Sequence, residues 1–179
     1  MIEPGTHRFG PSNATLAVRT RRGGAAAKAG HDLLLHVTAW EGTLTIGADG
    51  APTAAELAAD ATSLRVQEGT GGMKALDEDD KANIHKTIDD EVLKRQDISF
   101  RSTRAEETAE GLSVTGDLTL RSTTRSVAFD LVLGDGRVRG TALVKQTDWG
   151  MKPYTALFGA LKVADEVRVE IDAELPQSR

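Results

Sequence analysis

The residues best suited to chemistry lie close together in KAGHDLLLHVTAW, Lys28 to Trp40, where His31, Asp32 and His36 flank an apolar run. Two imidazoles and a carboxylate are zinc-ligand types and also the partners of a general base. Parity separates them. If Asp32 to Trp40 is one strand, successive side chains alternate between its faces. Leu33, Leu35, Val37 and Ala39 then form an apolar inner face, opposite Leu34, His36, Thr38 and Trp40. His31 has inner parity at the strand's start and His36 has outer parity, so the rings diverge. The other histidines, His7 and His85, fall in the N-terminal stretch and in a predicted helix. No HExxH or nucleophile-elbow pattern accompanies them. The spacing therefore predicts no metal, no cofactor and no catalytic residue. It leaves His31 as a hydrogen-bonded corner, or as a donor to the polar end of a ligand.

Three further clusters have two readings each. The acid run Asp77 to Asp80 neither alternates its ligands nor includes glycine, as loop calcium sites do. It reads as the start of an amphipathic helix over Asp77 to Lys94, with Asp77 as N-cap and Ile84, Ile88 and Val92 on one face. Asp148-Trp149-Gly150 reads as a rim bulge packing Trp149, or as a gate. Arg125 reads as a turn residue paired with a carboxylate such as Asp117, or as a head-group ligand.

These residues must be positioned by strands. Period-two alternation bounded by Gly, Asp and Asn turns fills most of the chain. It is clearest in EVRVEIDAEL, where Val167, Val169 and Ile171 oppose Arg168, Glu170 and Asp172. GLSVTGDLTL and SVAFDLVL repeat it, and Asp135-Gly136 and Gly47 to Gly50 supply hairpin turns. KPYTALFGAL suggests a second short helical turn. Many strands with a single inserted helix predict an all-β fold, an antiparallel sandwich or closed barrel.

Composition narrows the partners. The 179 residues contain no linker-like stretch and predict one domain over 1–179, with a core of about 12–175. A net charge of −5 argues against nucleic acid or an anionic membrane surface as main partner. No apolar run is long enough to span a bilayer. Cysteine is absent, which removes disulfides and thiolate chemistry. With no apolar h-region near the start, a cytoplasmic location is expected.

Several segments then resemble the YceI-like family of lipocalin-like lipid-binding proteins. GHDLLLHVTAWEGTLTI is similar to that family's glycine-histidine start and following strand pair. VTGDLTLRSTTRSVAFDLVL resembles its Gly-Asp-Leu-Thr-Leu strand, turn and apolar strand. LKRQDISFRST and KQTDWGMKPYTALFGALKVADEVRVEI resemble its post-helix strand and its Asp-aromatic-Gly segment with closing strand. This chain departs from the pattern with His31-Asp32 at the corner and Thr147 before Asp148. The resemblance implies an eight-stranded antiparallel barrel with an interior pocket for an apolar chain and no established catalytic residues.

The inner-face residues agree with that implication. The candidate ligand-binding set is Val18, His31, Leu33, Leu35, Val37, Leu44, Ile46, Leu112, Val114, Phe129, Leu131, Phe158, Val169 and Ile171. These side chains are mostly of medium size, so the barrel is expected to be hollow and to bind an isoprenoid or fatty-acyl chain without catalysis. Each buried methylene contributes ~0.8 kcal/mol. Two alternatives stay open. One is a plugged barrel that forms a homodimer through a face including Trp40. The other is an enzyme using His31 with Asp148 or a neighbouring carboxylate on a bound lipid-like substrate.

Overall fold

The computed structural model describes residues 2–175. Fourteen strands run in chain order: β1 Gly5–Phe9, β2 Ala14–Thr20, β3 Arg22–Gly23, β4 His31–Val37, β5 Trp40–Ile46, β6 Pro52–Ala59 and β7 Leu64–Gly71. After them come β8 Ile98–Glu107, β9 Gly111–Leu120, β10 Thr123–Gly134, β11 Arg137–Lys145, β12 Thr155–Ala156, β13 Leu161–Val163 and β14 Glu166–Glu174. The helix α1, Glu78–Thr87, lies between β7 and β8 and runs on into a π-helical turn over Ile88–Val92.

The class is the all-β one expected, but the strand count exceeds eight. Eleven strands form one antiparallel sheet in the order β1-β5-β6-β8-β9-β10-β11-β14-β2-β4-β7. Bends in three long strands account for the surplus. β1 runs into β2 around Gly10–Asn13, β4 into β5 around Thr38–Ala39, and β6 into β7 around Asp60–Ser63. The pairings β1 with β5, β2 with β4, and β4 with β7 then connect the two ends of the sheet order. Counted as continuous paths, eight strands close in a ring, which leaves no long unpaired edge.

The β4–β5 corner overturns one expectation. Asp32 to Trp40 is not one strand: Thr38 donates to Ser63 O, and Asp60 donates to Ala39 O across the bend. Inner parity switches there from odd to even residues. Trp40 is consequently buried, at 7 % exposure, and offers no outer dimer face.

Turn and cap chemistry follows the residues. Asp135 and Gly136 both adopt positive φ, at 51° and 71°, as a two-residue type I′ hairpin requires. Asp77 caps α1, accepting from the Asp80 N–H while the Asp80 carboxylate accepts from the Asp77 N–H. The predicted helix is shorter as regular α-helix and widens into the π-turn closed by the Leu93 N–H on Ile88 O, before Lys94 and Arg95 turn into positive φ.

Connectivity sorts the barrel's two ends. Tight turns at Gly47–Ala51, Thr108–Gly111 and Asp135–Gly136 close one end. At the other, β2, β7 and β11 finish while β4, β8 and β14 begin. All long connections collect there: residues 21–30, the α1 segment, and residues 146–165. A second sheet, β12-β13-β3, lies among them.

Candidate functional site

The inner faces do not meet in the middle. They enclose a cavity of about 450 Å³, within the usual range of small-molecule sites. Leu16, Val18 and Thr20 of β2, Leu33, Leu35 and Val37 of β4, and Val167, Val169 and Ile171 of β14 line one wall. Leu118 and Leu120 of β9, Val127, Phe129 and Leu131 of β10, and Val138, Gly140, Ala142 and Val144 of β11 line the opposite wall. Phe100 packs on Phe129 with ring centroids 5.4 Å apart. A Cβ on Gly116 would lie 2.5 Å from Phe100 Cζ and would also run into Arg101 O, so only glycine accommodates this ring position.

Below the cavity the interior is solid. Ile46, Leu112 and Val114 have inward parity and 3 %, 3 % and 0 % exposure, but do not reach the cavity. They form a packed floor with the buried core. At the other end, Ile84, Thr87, Ile88 and Val92 cover the space from α1 and its following turn. Met151, Tyr154 and Val163 reach it from the 146–165 connection.

Nine of the fourteen sequence candidates thus line the cavity: Val18, Leu33, Leu35, Val37, Leu44, Phe129, Leu131, Val169 and Ile171. Five do not. Ile46, Leu112 and Val114 sit in the floor, because inward parity does not say how high along the barrel a residue stands. Phe158 is at 112 % exposure on a loop tip and turned away from the space. His31 also stands outside. Its Nε2 lies 2.7 Å from Lys74 O, donating to that carbonyl, and thereby fastens the β7–α1 loop to β4. His31 is the hydrogen-bonded corner of the two readings.

Polar groups around the space are few. Gln146 is buried and donates Nε2–H to Ala164 O. Thr20 Oγ1 is buried, lines the cavity and has no hydrogen-bond partner in the protein. Glu56 reaches the lining but is paired with Arg101 at 2.9 Å. Among the described residues the lining contains no Lys, Arg or His. The sequence reading missed Thr20, although it shares the parity of Leu16 and Val18.

The remaining clusters resolve as supports of the covered end. Asp148 and Trp149 lie in a 3₁₀ turn, Gln146–Trp149, closed by Gly150 at φ 68°. That is neither a bulge nor a gate. Trp149 is buried and donates Nε1–H to Leu118 O. Arg125 donates to Asp148 O rather than pairing with Asp117. The Asp165 carboxylate accepts from Thr147 N and Oγ1 at 2.8 and 2.5 Å, and those bonds hold its carboxyl below the usual range. His85 Nε2 accepts the Val66 N–H at 3.0 Å, tying α1 to β7. Desolvation, then the Arg65 charge, lowers its pKa. KPYTALFGAL holds one 3₁₀ turn, Leu157–Gly159, between the short strands β12 and β13, with Tyr154 outside it. Among the described residues no group of three His, Cys, Asp or Glu side chains converges on a metal site, and no helix is long and apolar enough to cross a membrane.

Comparison with known proteins agrees with this architecture. BcnA of Burkholderia cenocepacia superposes with a TM-score of 0.59 at 13 % identity, over 89 % of this chain and 94 % of that one. A Campylobacter jejuni YceI protein gives a TM-score of 0.53 at 12 % identity, over 81 % and 85 %. A variant of that YceI protein, crystallised with a monobromobimane guest, gives 0.59 at 13 % identity over the same shares. These likenesses show the fold. No curated protein sequence matches. The YceI-like domain profile matches residues 11–175, nearly the whole chain and every barrel strand but β1, and on that match the chain belongs to the YceI-like domain family.

Proposed function

We propose that this protein binds a single neutral, apolar or weakly amphiphilic chain inside the barrel and carries or sequesters it without chemical change. The observation that carries the reading is the 450 Å³ cavity with its hydrocarbon lining. A core that keeps such a space empty forgoes the packing contacts of its whole lining. A small domain has little reason to leave that unfilled unless a guest fills it. If a methylene takes the ~30 Å³ share of a water molecule, the space holds about 15 chain carbons. A farnesyl-sized isoprenoid or a fatty-acyl chain is of that size.

The lining also speaks to the head group. A carboxylate or phosphate taken into this space would be desolvated with no cation beside it, which is strongly unfavourable. The unpartnered Thr20 hydroxyl and the Gln146 amide suit an alcohol, ester or quinone-like oxygen. Turnover is not part of the reading: His31 is bonded to Lys74 O, neither it nor Asp148 lines the cavity, and the lining offers no activated nucleophile.

Native mass spectrometry of protein from its own host, followed by organic extraction, tests the proposal. A co-purifying neutral lipid of this size is expected. A clean apoprotein that also fails to take up an environment-sensitive apolar dye would overturn it. Cell fractionation of the host tests the cytoplasmic location expected from the sequence.

A further inference from the structure

The hairpin β12–β13 carries a feature that the cavity does not explain. Its base faces inward, since Tyr154 and Val163 line the space and the Val163 N–H donates to Tyr154 O. Its tip does the opposite. Leu157 and Phe158 are successive non-glycine residues at φ 50° and 56°, in the left-handed region that side chains disfavour. The result is a Leu side chain at 58 % exposure beside a Phe at 112 %. A strained backbone that holds an aromatic ring in water is a reason to look for what the ring touches.

The surroundings suggest its chemistry. β13 pairs with β3, Gly23 opposite Lys162, and Ala26 donates to Ala160 O, so residues 21–30 underlie the hairpin. Arg21, Lys28, Lys152 and Lys162 are all exposed on these two segments. Residues 20–31 and 150–164 contain no Asp or Glu. On these two segments a protein of net charge −5 therefore presents four exposed cations beside two projecting apolar side chains, while the acids of the same end, Asp77 to Asp80 and Asp89 to Glu91, belong to the α1 segment. The overall charge argues against an anionic membrane as partner, but the hairpin and the segment beneath it carry the opposite sign.

We infer that the Leu157–Phe158 tip with the four cations beside it is a docking surface for an anionic lipid bilayer. Leu157 and Phe158 enter the interface and the four cations face the phosphates, which places the covered end of the cavity against the membrane. Attachment is peripheral and reversible, because two side chains and a few charges are far from a membrane span. The surface stands on its own residues. Its purpose, exchange of a guest with the bilayer, rests on the carrier reading above.

Flotation of the full chain with phosphatidylcholine vesicles, with and without phosphatidylglycerol, is the test. Binding to the anionic vesicles is expected, weakened by added salt. The double substitution Leu157→Ser, Phe158→Ser should lower partitioning about tenfold or more. Lys152→Glu with Lys162→Glu should abolish the preference for anionic lipid. Circular dichroism and uptake of an apolar dye show that the variants remain folded. No flotation on either vesicle, or equal flotation of parent and variants, overturns the inference. So does a self-association that the serine variants dissolve while vesicles go unbound, since the tip would then serve a second copy. Dye uptake without flotation defeats the docking surface alone. Flotation without dye uptake upholds the surface and defeats the carrier reading.

Discussion

Ala142→Phe separates a hollow barrel from a filled one without knowing the ligand. Ala142 stands on β11 opposite Val169 of β14, and both line the cavity. A phenylalanine ring there projects into existing space. Burying it should stabilise the apoprotein by about 2 kcal/mol, the worth of a buried large apolar side chain. For a chain of this size that is a rise in Tm of about 4–8 °C. In a plugged barrel the same ring would be overpacked and would destabilise by ~1–3 kcal/mol. The sign alone decides. The ring's carbons also take the room of about six chain carbons from a capacity of about 15. A series of straight-chain alcohols should show affinity in the parent rising by about 0.8 kcal/mol per methylene, close to fourfold, and levelling at roughly 15 carbons. In Ala142→Phe it should level at roughly nine. Calorimetric unfolding and dye displacement measure the two effects. A fall in Tm, or a plateau that does not move, would refute the hollow-barrel reasoning.

Other expected outcomes follow from single contacts. Thr20→Val should weaken alcohols by about 1 kcal/mol, roughly fivefold, and leave an alkane-tailed dye unaffected in the same displacement assay. Gly116→Ala should destabilise by about 1–3 kcal/mol in urea unfolding, because its Cβ meets Arg101 O and the Phe100 ring. His85 accepts a backbone N–H, which only the neutral ring can do, and its folded pKa lies below the ordinary value of 6.5. The unfolded chain therefore binds the proton first, so this contribution is present above about pH 6.5 and is lost as pH falls through the folded pKa. Urea midpoints between pH 7.5 and 5 should fall more steeply in the parent than in His85→Gln. Parallel curves would remove His85 as the cause.

Alternation makes the walls legible in the sequence. The inward residues of β2, β10, β11 and β14 follow from parity alone, because a one-residue error would turn an apolar set to water. Parity fails at Trp40, where the strand turns a corner and the count restarts. It gives the face but not the height, so Ile46 and Val114 look the same as Leu44 and Leu118. The helix is readable from Asp77 and the Ile84–Ile88 spacing. Its placement over the cavity is not, since that depends on contacts such as His85 with Val66, distant in sequence. Phe158 misleads for a related reason. An aromatic in an apolar stretch reads as buried, whereas the structure leaves this ring fully exposed on a backbone of positive φ.

The floor of Ile46, Leu112 and Val114 has a consequence for how such a protein can change. It gives the barrel a packed foundation apart from the cavity, so on the proposed binding function the shaft above it is free to drift. Substitutions among Val18, Ala142 or Val169 retune which molecules fit while the foundation keeps the chain folded. Trimming Val114 or Leu112 would instead deepen the shaft and undermine its support together. Relatives specialised for longer guests are therefore expected to lengthen the shaft at its covered end, where connections vary easily, rather than dig into the base.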